Sequence, residues 1–377
     1  MNSIPFNRPA AVGNELAYIS DAIGRAHLAG DGHYTKQCQA WLEAKIGVHR
    51  VLLTHSCTGA LEMAAILCDL RPGDEVIVPS FTFVSTANAI CLRGATPVFV
   101  DIDALTLNIT PEVIAPAITD RTKAIYVVHY AGVPCDVDAI KTLAKAHDLL
   151  VVEDAAQALG STYRGRHAGS LGHLAAFSFH ETKNIISGEG GCLAIADERF
   201  FERAEIIREK GTNRKHFCRG FVDRYTWVDL GSSYLPSELI AAFLYAQLEQ
   251  HEAVCAHRLA LWDRYDKALR PLACRFGVKV PTIPEGCAHN AHMYYMIFDS
   301  LEGRDAFIAH LKKRSITAPF HYVPLHSSPA GRRFGRTCGD LPVTERVASG
   351  LVRLPLYGAL DFETQDRVIE ATASFGC

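Results

Sequence analysis

Between residues 51 and 196, short uninterrupted apolar runs alternate with stretches of helical period. The runs are Val51–Leu53, Glu75–Pro79, Thr96–Val100, Lys123–Val128, Leu149–Val152, Ala175–Phe179 and Cys192–Ala196. Strands that are apolar at consecutive positions, not alternate ones, are covered on both faces. That predicts a mainly parallel sheet layered between helices. The segments near 57–70, 83–92, 111–118 and 136–147 carry the helical period, and Asp136 is placed to cap the last of them. Further helical patterns follow at about 198–210 and 236–270. The tail is mixed, with strand-like Met293–Phe298, a helix-like stretch at 303–314, strand-like Phe320–Val323 and a final helix near 362–374. The expected fold is α/β: a large domain over 1–245 that includes an N-terminal arm, and a smaller C-terminal α+β domain over 246–377.

With 377 residues, 49% of them hydrophobic, the chain has ample apolar material for such a core. A formal net charge of −3 argues against a nucleic acid or an anionic membrane as the main partner. The twelve cysteines are scattered, form no C-x-x-C pair, and in several cases sit inside apolar runs (Cys68, Cys91, Cys192). They read as buried thiols, with neither a disulfide framework nor a metal site expected. No run reaches transmembrane length, and the first residues lack the basic and apolar regions of a secretory signal, so a soluble cytoplasmic protein is expected.

In an open α/β sheet, ligands collect at the carboxyl ends of the strands. Asp154 closes the apolar run that begins at Leu149, and Ser56-Cys-Thr-Gly-Ala60 opens a helix directly after the first strand. Lys183 follows Ser178-Phe-His-Glu-Thr and precedes the glycine cluster Gly188-Glu-Gly-Gly191. A strand-end carboxylate with a loop lysine is the pairing that pyridoxal 5′-phosphate (PLP) requires. The carboxylate keeps the pyridine nitrogen protonated, so the ring withdraws electrons, and the lysine holds the aldehyde. The turn at Ser56, with free N–H groups, a helix dipole and two hydroxyls, is a cradle for phosphate. Neighbouring residues of a strand point to opposite sides, so the residues alone leave open whether Glu153 or Asp154 faces the cleft. No G-x-G-x-x-G follows the first strand, which disfavours a dinucleotide-binding protein.

Over nearly its full length the chain resembles the DegT/DnrJ/EryC1/StrS family of PLP-dependent sugar aminotransferases. The motifs are Pro79-Ser-Phe-Thr-Phe-Val-Ser-Thr86, Val100-Asp-Ile-Asp103, Glu153-Asp-Ala-Ala-Gln157, Ser178-Phe-His-Glu-Thr-Lys183 and Gly188-Glu-Gly-Gly191. The segments Ile206–Arg214, Tyr225–Trp227, Gly231–Leu235, Asn290–Met293 and Phe320–His326 are similar to the branch that makes 4-amino-4,6-dideoxy sugars. The resemblance implies a fold-type-I, aspartate-aminotransferase-like homodimer. It further implies a nucleotide-linked 4-keto-6-deoxy sugar as substrate, L-glutamate as donor, and PLP alternating with pyridoxamine 5′-phosphate. By the same resemblance, Lys183 is the catalytic lysine, Asp154 pairs with the pyridine nitrogen, Gln157 packs near the 3′-hydroxyl and Phe83 stacks on the ring. Cys57, Thr58 and Ser178 match phosphate-binding positions, while Arg214, His321, Tyr322 and His326 are expected near the substrate. Many relatives have glycine where Cys57 stands, and many supply a phosphate-binding asparagine from the partner subunit where this chain has Leu235; Ser232 or Ser233 would substitute. The rival readings are a transaminase forming the glucose epimer and a PLP-binding regulator without turnover. A sugar 3-dehydratase is disfavoured, because such relatives carry histidine in place of Lys183.

Overall fold

The computed structural model describes residues 3–376 apart from 215, 216, 218, 219 and 221–223. Its centre is an eight-stranded sheet of β1 (Arg50–Thr54), β2 (Glu75–Pro79), β3 (Thr96–Val100), β4 (Thr122–Val128), β5 (Leu150–Asp154), β6 (Leu174–Ser178), β7 (Gly191–Ile195) and β8 (Arg336–Thr337). They lie in the order β1-β7-β6-β5-β4-β2-β3-β8. The pairings among β2, β3, β4, β5, β6 and β8 are parallel, as the continuous apolar runs predict. β7 is the exception, running antiparallel to both β1 and β6. The connection from Ser178 to Gly191 contains no helix to carry the chain across the sheet, so it returns beside the strand it left.

Alternation within each strand explains the runs. Leu52, Val78, Tyr126, Val152 and Ala176 pack on one face against α3 (Cys57–Leu67) and α4 (Val84–Cys91). Their neighbours Ile77, Ile125, Val127 and Val151 pack on the other against α5 (Val137–Ala146). The predicted cap holds: the Asp136 carboxylate accepts the Ala139 N–H at 3.1 Å. A separate core gathers residues between Leu261 and Ala371 and takes in Ile4. Ile4 also exchanges backbone hydrogen bonds with Ser315 and Thr317, which ties the start of the chain to this second core.

Two expectations are corrected. The helical pattern over 236–270 is broken at Gln250 into α6 (Glu238–Glu249) and α7 (His251–Phe276). Phe320–Val323 is a loop, not a strand, with a single bridge from Phe320 to Val352. Its aromatic residues mimic a strand, but His321 and Tyr322 line the cavity described below while Phe320 and Val323 are exposed. Helices at Glu15–Gly24, His33–Ile46 and Pro342–Gly350 were not predicted from the pattern.

The end of β5 settles which acid faces where. Glu153 turns away from the cleft, fully buried, and accepts the N–H groups of Gly169, Leu171 and Gly172 at 2.6–2.9 Å. His129 accepts the Cys135 N–H at Nδ1, so its Nε2 carries the proton and donates to Glu153 at 2.8 Å. Removing the carboxylate strands three backbone donors and an imidazole N–H inside the protein. Glu153→Ala should therefore lower the unfolding free energy in urea by about 3 kcal/mol or more. A loss below about 1 kcal/mol would show that this clamp does not hold the 169–172 loop.

Candidate active site

A cavity of about 690 Å³ opens at the carboxyl ends of β1, β5 and β6. Lys183, Asp154, Gln157, Ser178, Cys57, Thr58 and Phe83 all line it, as do His321 and Tyr322. Residues scattered over the sequence converge because each follows a parallel strand or its return loop.

The floor is the first turn of α3. Ser56 caps that helix by accepting the Gly59 N–H at 3.0 Å. No acceptor among the described residues takes the N–H of Cys57 or Thr58, which leaves two donors and the helix dipole for an anion. The Thr58 and Ser85 hydroxyls share a hydrogen bond of 2.8 Å and add further polar atoms. Gly191 lies against this turn, where a Cβ would stand 2.4 Å from the Cys57 nitrogen. Glycine is therefore required where β7 enters the sheet. A phosphate group fits this cradle.

Asp154 faces the cavity from the end of β5. Its carboxylate accepts the Thr86 hydroxyl at 2.7 Å and the Ala156 N–H at 3.2 Å. Burial raises its pKa, while Thr86, Ala156, Lys183 and His129 oppose that rise. A desolvated carboxylate of this kind is stabilised by a cationic partner such as a protonated pyridine nitrogen, so the residues present fit PLP. Burial likewise lowers the pKa of Lys183; Cys57 and Asp154 pull it back up, and Arg353 pushes it down.

On the opposite wall, Gln157 is fixed by the Ala131 N–H at 2.7 Å and donates to the Tyr322 hydroxyl at 3.1 Å. Tyr130 and His321 are joined at 3.0 Å, and burial pushes the His321 pKa well below the ordinary value, keeping the ring neutral. His292, from the Asn290–Met293 motif, also lines the cavity, as do Arg353 and Phe6, which no motif singled out. Arg353 sits in an ordinary alternating strand, Leu351–Leu354, which gives no local signal of chemistry.

Two residues expected near the substrate lie elsewhere. His326 is held by the Ser80 hydroxyl at 2.7 Å and by Glu345 at 2.9 Å, outside the cavity lining. Arg214 is exposed and pairs with Glu209 at 3.8 Å. Among the described residues, its basic neighbours Arg203, Arg208 and Lys210 are also paired within the chain. Arg203 pairs with Asp69 and Asp229, and Arg208 is buried against Asp31, Gln39 and the Leu53 carbonyl. Lys215 and Arg219 lie outside the described residues.

The lowered Lys183 pKa has a readable consequence. A group whose pKa falls on folding keeps its neutral, nucleophilic form to lower pH than an exposed lysine does. In the cofactor-free protein, the labelling rate of Lys183 by an amine reagent, followed by peptide mapping, should titrate below the ordinary lysine value of about 10.4. A midpoint at or above that value would mean that Asp154 and Cys57 outweigh burial.

Known proteins are similar to this chain along nearly its full length. An uncharacterized protein, MJ1066, of Methanocaldococcus jannaschii is 35% identical over 375 residues, covering 97% of this chain and 95% of that one. The aminotransferase TlmJ from Streptoalloteichus hindustanus superposes with a TM-score of 0.90 at 32% identity, over 99% of this chain and 98% of its own. Spr1654 from Streptococcus pneumoniae, solved in PLP and PMP forms, gives a TM-score of 0.90 at 28% identity over 99% of this chain and 97% of its own. The model of the DegT/DnrJ/EryC1/StrS aminotransferase family matches residues 10–373. With that match spanning the sheet, the lysine loop and the C-terminal core, the chain belongs to this family of PLP-dependent sugar aminotransferases, on the fold-type-I architecture.

Proposed function

We propose that the protein transfers the amino group of L-glutamate to C4 of dTDP-4-keto-6-deoxy-D-glucose, giving dTDP-4-amino-4,6-dideoxy-D-galactose and 2-oxoglutarate. The observation that carries this reading is the meeting of Lys183, Asp154 and the α3 anion cradle in one cavity of a family member. The choice of sugar rests on Ile206–Arg214, Tyr225–Trp227, Gly231–Leu235 and Phe320–His326, which are similar to dTDP-4-amino-4,6-dideoxygalactose transaminases of enterobacterial common antigen synthesis.

PLP, when bound, supplies a protonated pyridine ring that withdraws electrons from the carbon being deprotonated. The chain supplies the rest. Cys57, Thr58 and Ser178 would hold the phosphate, Asp154 would present its charge to the ring nitrogen, Phe83 would pack against the ring, and Gln157, braced by Tyr322, would meet the 3′-hydroxyl. Lys183 takes the proton from the donor α-carbon and later delivers one to sugar C4. Its lowered pKa suits that shuttle, since the amine must be neutral to accept. Tyr322 and the neutral His321 are placed to contact the sugar. The face of C4 that meets Lys183 decides between the galacto and gluco products. A PLP-binding regulator without turnover would need no proton-shuttling lysine, so the intact Lys183–Asp154 pair counts against that reading.

We also read the chain as two domains, with the boundary expected at 245/246 moved to Gln250 because α6 (Glu238–Glu249) runs unbroken through 245, and as a homodimer of the cytoplasm. Tyr225, Trp227, Val228 and Leu230 are more than 45% exposed, as are Leu16 and Ile23, which supports a surface covered by a second copy. Ser232 and Ser233 lie exposed in the same stretch. Among the described residues, no helix is long and apolar enough to cross a membrane.

Lys183→Ala should abolish turnover, and borohydride reduction of the wild-type holoenzyme should place the pyridoxyl label on Lys183. A label on another lysine would sink the assignment. With dTDP-4-keto-6-deoxy-D-glucose and L-glutamate, a small H3–H4 coupling in the product's NMR spectrum is expected, marking an axial amine. A large coupling would identify the gluco epimer instead.

Asp154→Asn keeps one oxygen to accept the Ala156 N–H, and its amide nitrogen can donate to the Thr86 hydroxyl, so the variant should fold. Without the anion the ring nitrogen loses its proton, and kcat should drop by about a hundredfold or more. Near-normal kcat would assign the charge to another group.

A further inference from the structure

Beside the lysine loop lies a second, much smaller cavity of about 20 Å³. The N-terminal segment around Asn7 and Arg8, the loop at Glu181–Ile186, the helix α7 and the turn at Tyr357 enclose it. That volume holds one particle the size of a water molecule and is too small for a carboxylate or a phosphate. Asn7 and Lys183 line both this cavity and the larger one, so the lysine loop forms a wall of each.

Arg258 lines the small cavity from α7 and is only 2% exposed. Its Nε donates to the Ala291 carbonyl at 3.2 Å, and one terminal nitrogen donates to the His292 carbonyl at 2.7 Å. The other terminal nitrogen has no acceptor among the described residues, and no carboxylate among them pairs with the guanidinium. Burial pulls its pKa down to about 10, with the Cys255 thiol opposing. The side chain is still charged near neutral pH, so a full positive charge lies inside the protein against carbonyl dipoles alone. Such a charge is costly unless an anion joins it.

The rest of the lining is also rich in donors and poor in negative charge. Arg8 is exposed at the rim and forms no ion pair among the described residues. Tyr357 is buried, and its hydroxyl has no hydrogen-bond partner among them. Burial raises the Tyr357 pKa, and the nearby Arg8 charge opposes that rise. Glu181 is the acid of the lining, exposed and paired with neither arginine. The two amides are spent elsewhere. The Gln247 nitrogen donates to the Ala10 carbonyl at 3.0 Å and to Glu15 at 2.6 Å. The Asn184 nitrogen donates to the Asn290 carbonyl at 2.7 Å, and its oxygen meets the His292 Nδ1 at 3.1 Å.

We propose that this cavity binds a single monatomic anion of the size of chloride, held by Arg258 with Tyr357 and Arg8. A water molecule fits the space but brings no charge to offset the buried guanidinium, and an oxyanion brings the charge but does not fit. The ion would attract Arg8 of the N-terminal segment and Arg258 of α7 at once, with the lysine loop between them. It would thus fasten three segments that are distant in sequence. The site is separate from the cavity that holds Asp154, and it does not depend on which reaction that cavity performs.

The test follows thermal unfolding of chloride-free holoenzyme in gluconate at fixed ionic strength, as chloride, bromide or sulfate replaces the gluconate. Chloride and bromide should raise the midpoint saturably, by about 3 °C at a hundred times the Kd, and sulfate should not. In Arg258→Gln the chloride increment should vanish. A crystal of the wild-type holoenzyme soaked in bromide should show an anomalous peak between Arg258 and Tyr357. Equal responses to halide and sulfate, an undiminished chloride increment in the variant, or no bromide peak in the cavity overturns the proposal. A peak without any halide increment does so too, marking an adventitious ion only, as does an acidic side chain of a second copy seated on Arg258 in that crystal. If Arg258→Gln does not fold, Arg258→Lys serves in its place, since it keeps the charge but cannot bridge both carbonyls and the ion. It should weaken chloride severalfold, and an unchanged chloride Kd overturns the proposal.

Discussion

Two carboxylates stand side by side at the end of β5, and both are buried. Burying one charge is costly unless it is paired or hydrogen-bonded, and burying two neighbours doubles the problem. The strand solves it geometrically by sending them to opposite faces. Glu153 is saturated by three backbone N–H groups and His129, so it has no valence left for a ligand. Asp154 receives two donors, one from a helix across the cleft and one from its own turn, and keeps room for a third partner. The structural acid fixes the loop behind the strand. The functional acid is left deliberately under-satisfied, and the cavity forms around that difference.

The remaining charges follow from the same account. Lys183 and Arg353 are the lysine and the arginine that line the cavity with Asp154, and each is weakened by desolvation. The nearby imidazoles of His292 and His321 are driven neutral, by burial first and by these two cations after it. The cavity therefore concentrates its positive charge at two points, a nucleophilic amine and a planar fork, while the α3 turn supplies backbone donors at a third. Each point offers a different chemistry to a bound group. Polar braces such as Gln157 with Tyr322, and Tyr130 with His321, keep the wall between these points rigid.

The sheet and the smaller core meet at the cavity, and the first residues of the chain cross from one to the other. Ile4 is buried in the C-terminal core, Phe6 lies on Arg353, and Asn7 touches the lysine loop. The N-terminal segment is thus part of the site, although nothing in its composition marks it so.

The amino-acid sequence by itself determined the parallel strands β2 to β6, because consecutive apolar residues have only one comfortable environment, a layer covered on both faces. It also determined the anion cradle at Ser56 and the positions of Asp154 and Lys183, since each is tied to a strand end or a glycine cluster within a few residues. Tertiary structure alone decided three things. It turned β7 antiparallel, because sheet order depends on what can pass over the sheet and not on the strand's own pattern. It made Phe320–Val323 a loop whose His321 and Tyr322 line the cavity, because an apolar and aromatic run looks the same in sequence whether it pairs as a strand or lines a cleft. And it chose between like residues: Arg353 in the cavity, Arg208 buried in an ion pair, Arg214 at the surface. Local sequence specifies that a residue is charged; only its distant neighbours, Phe6 for Arg353 and Asp31 for Arg208, determine what that charge is for.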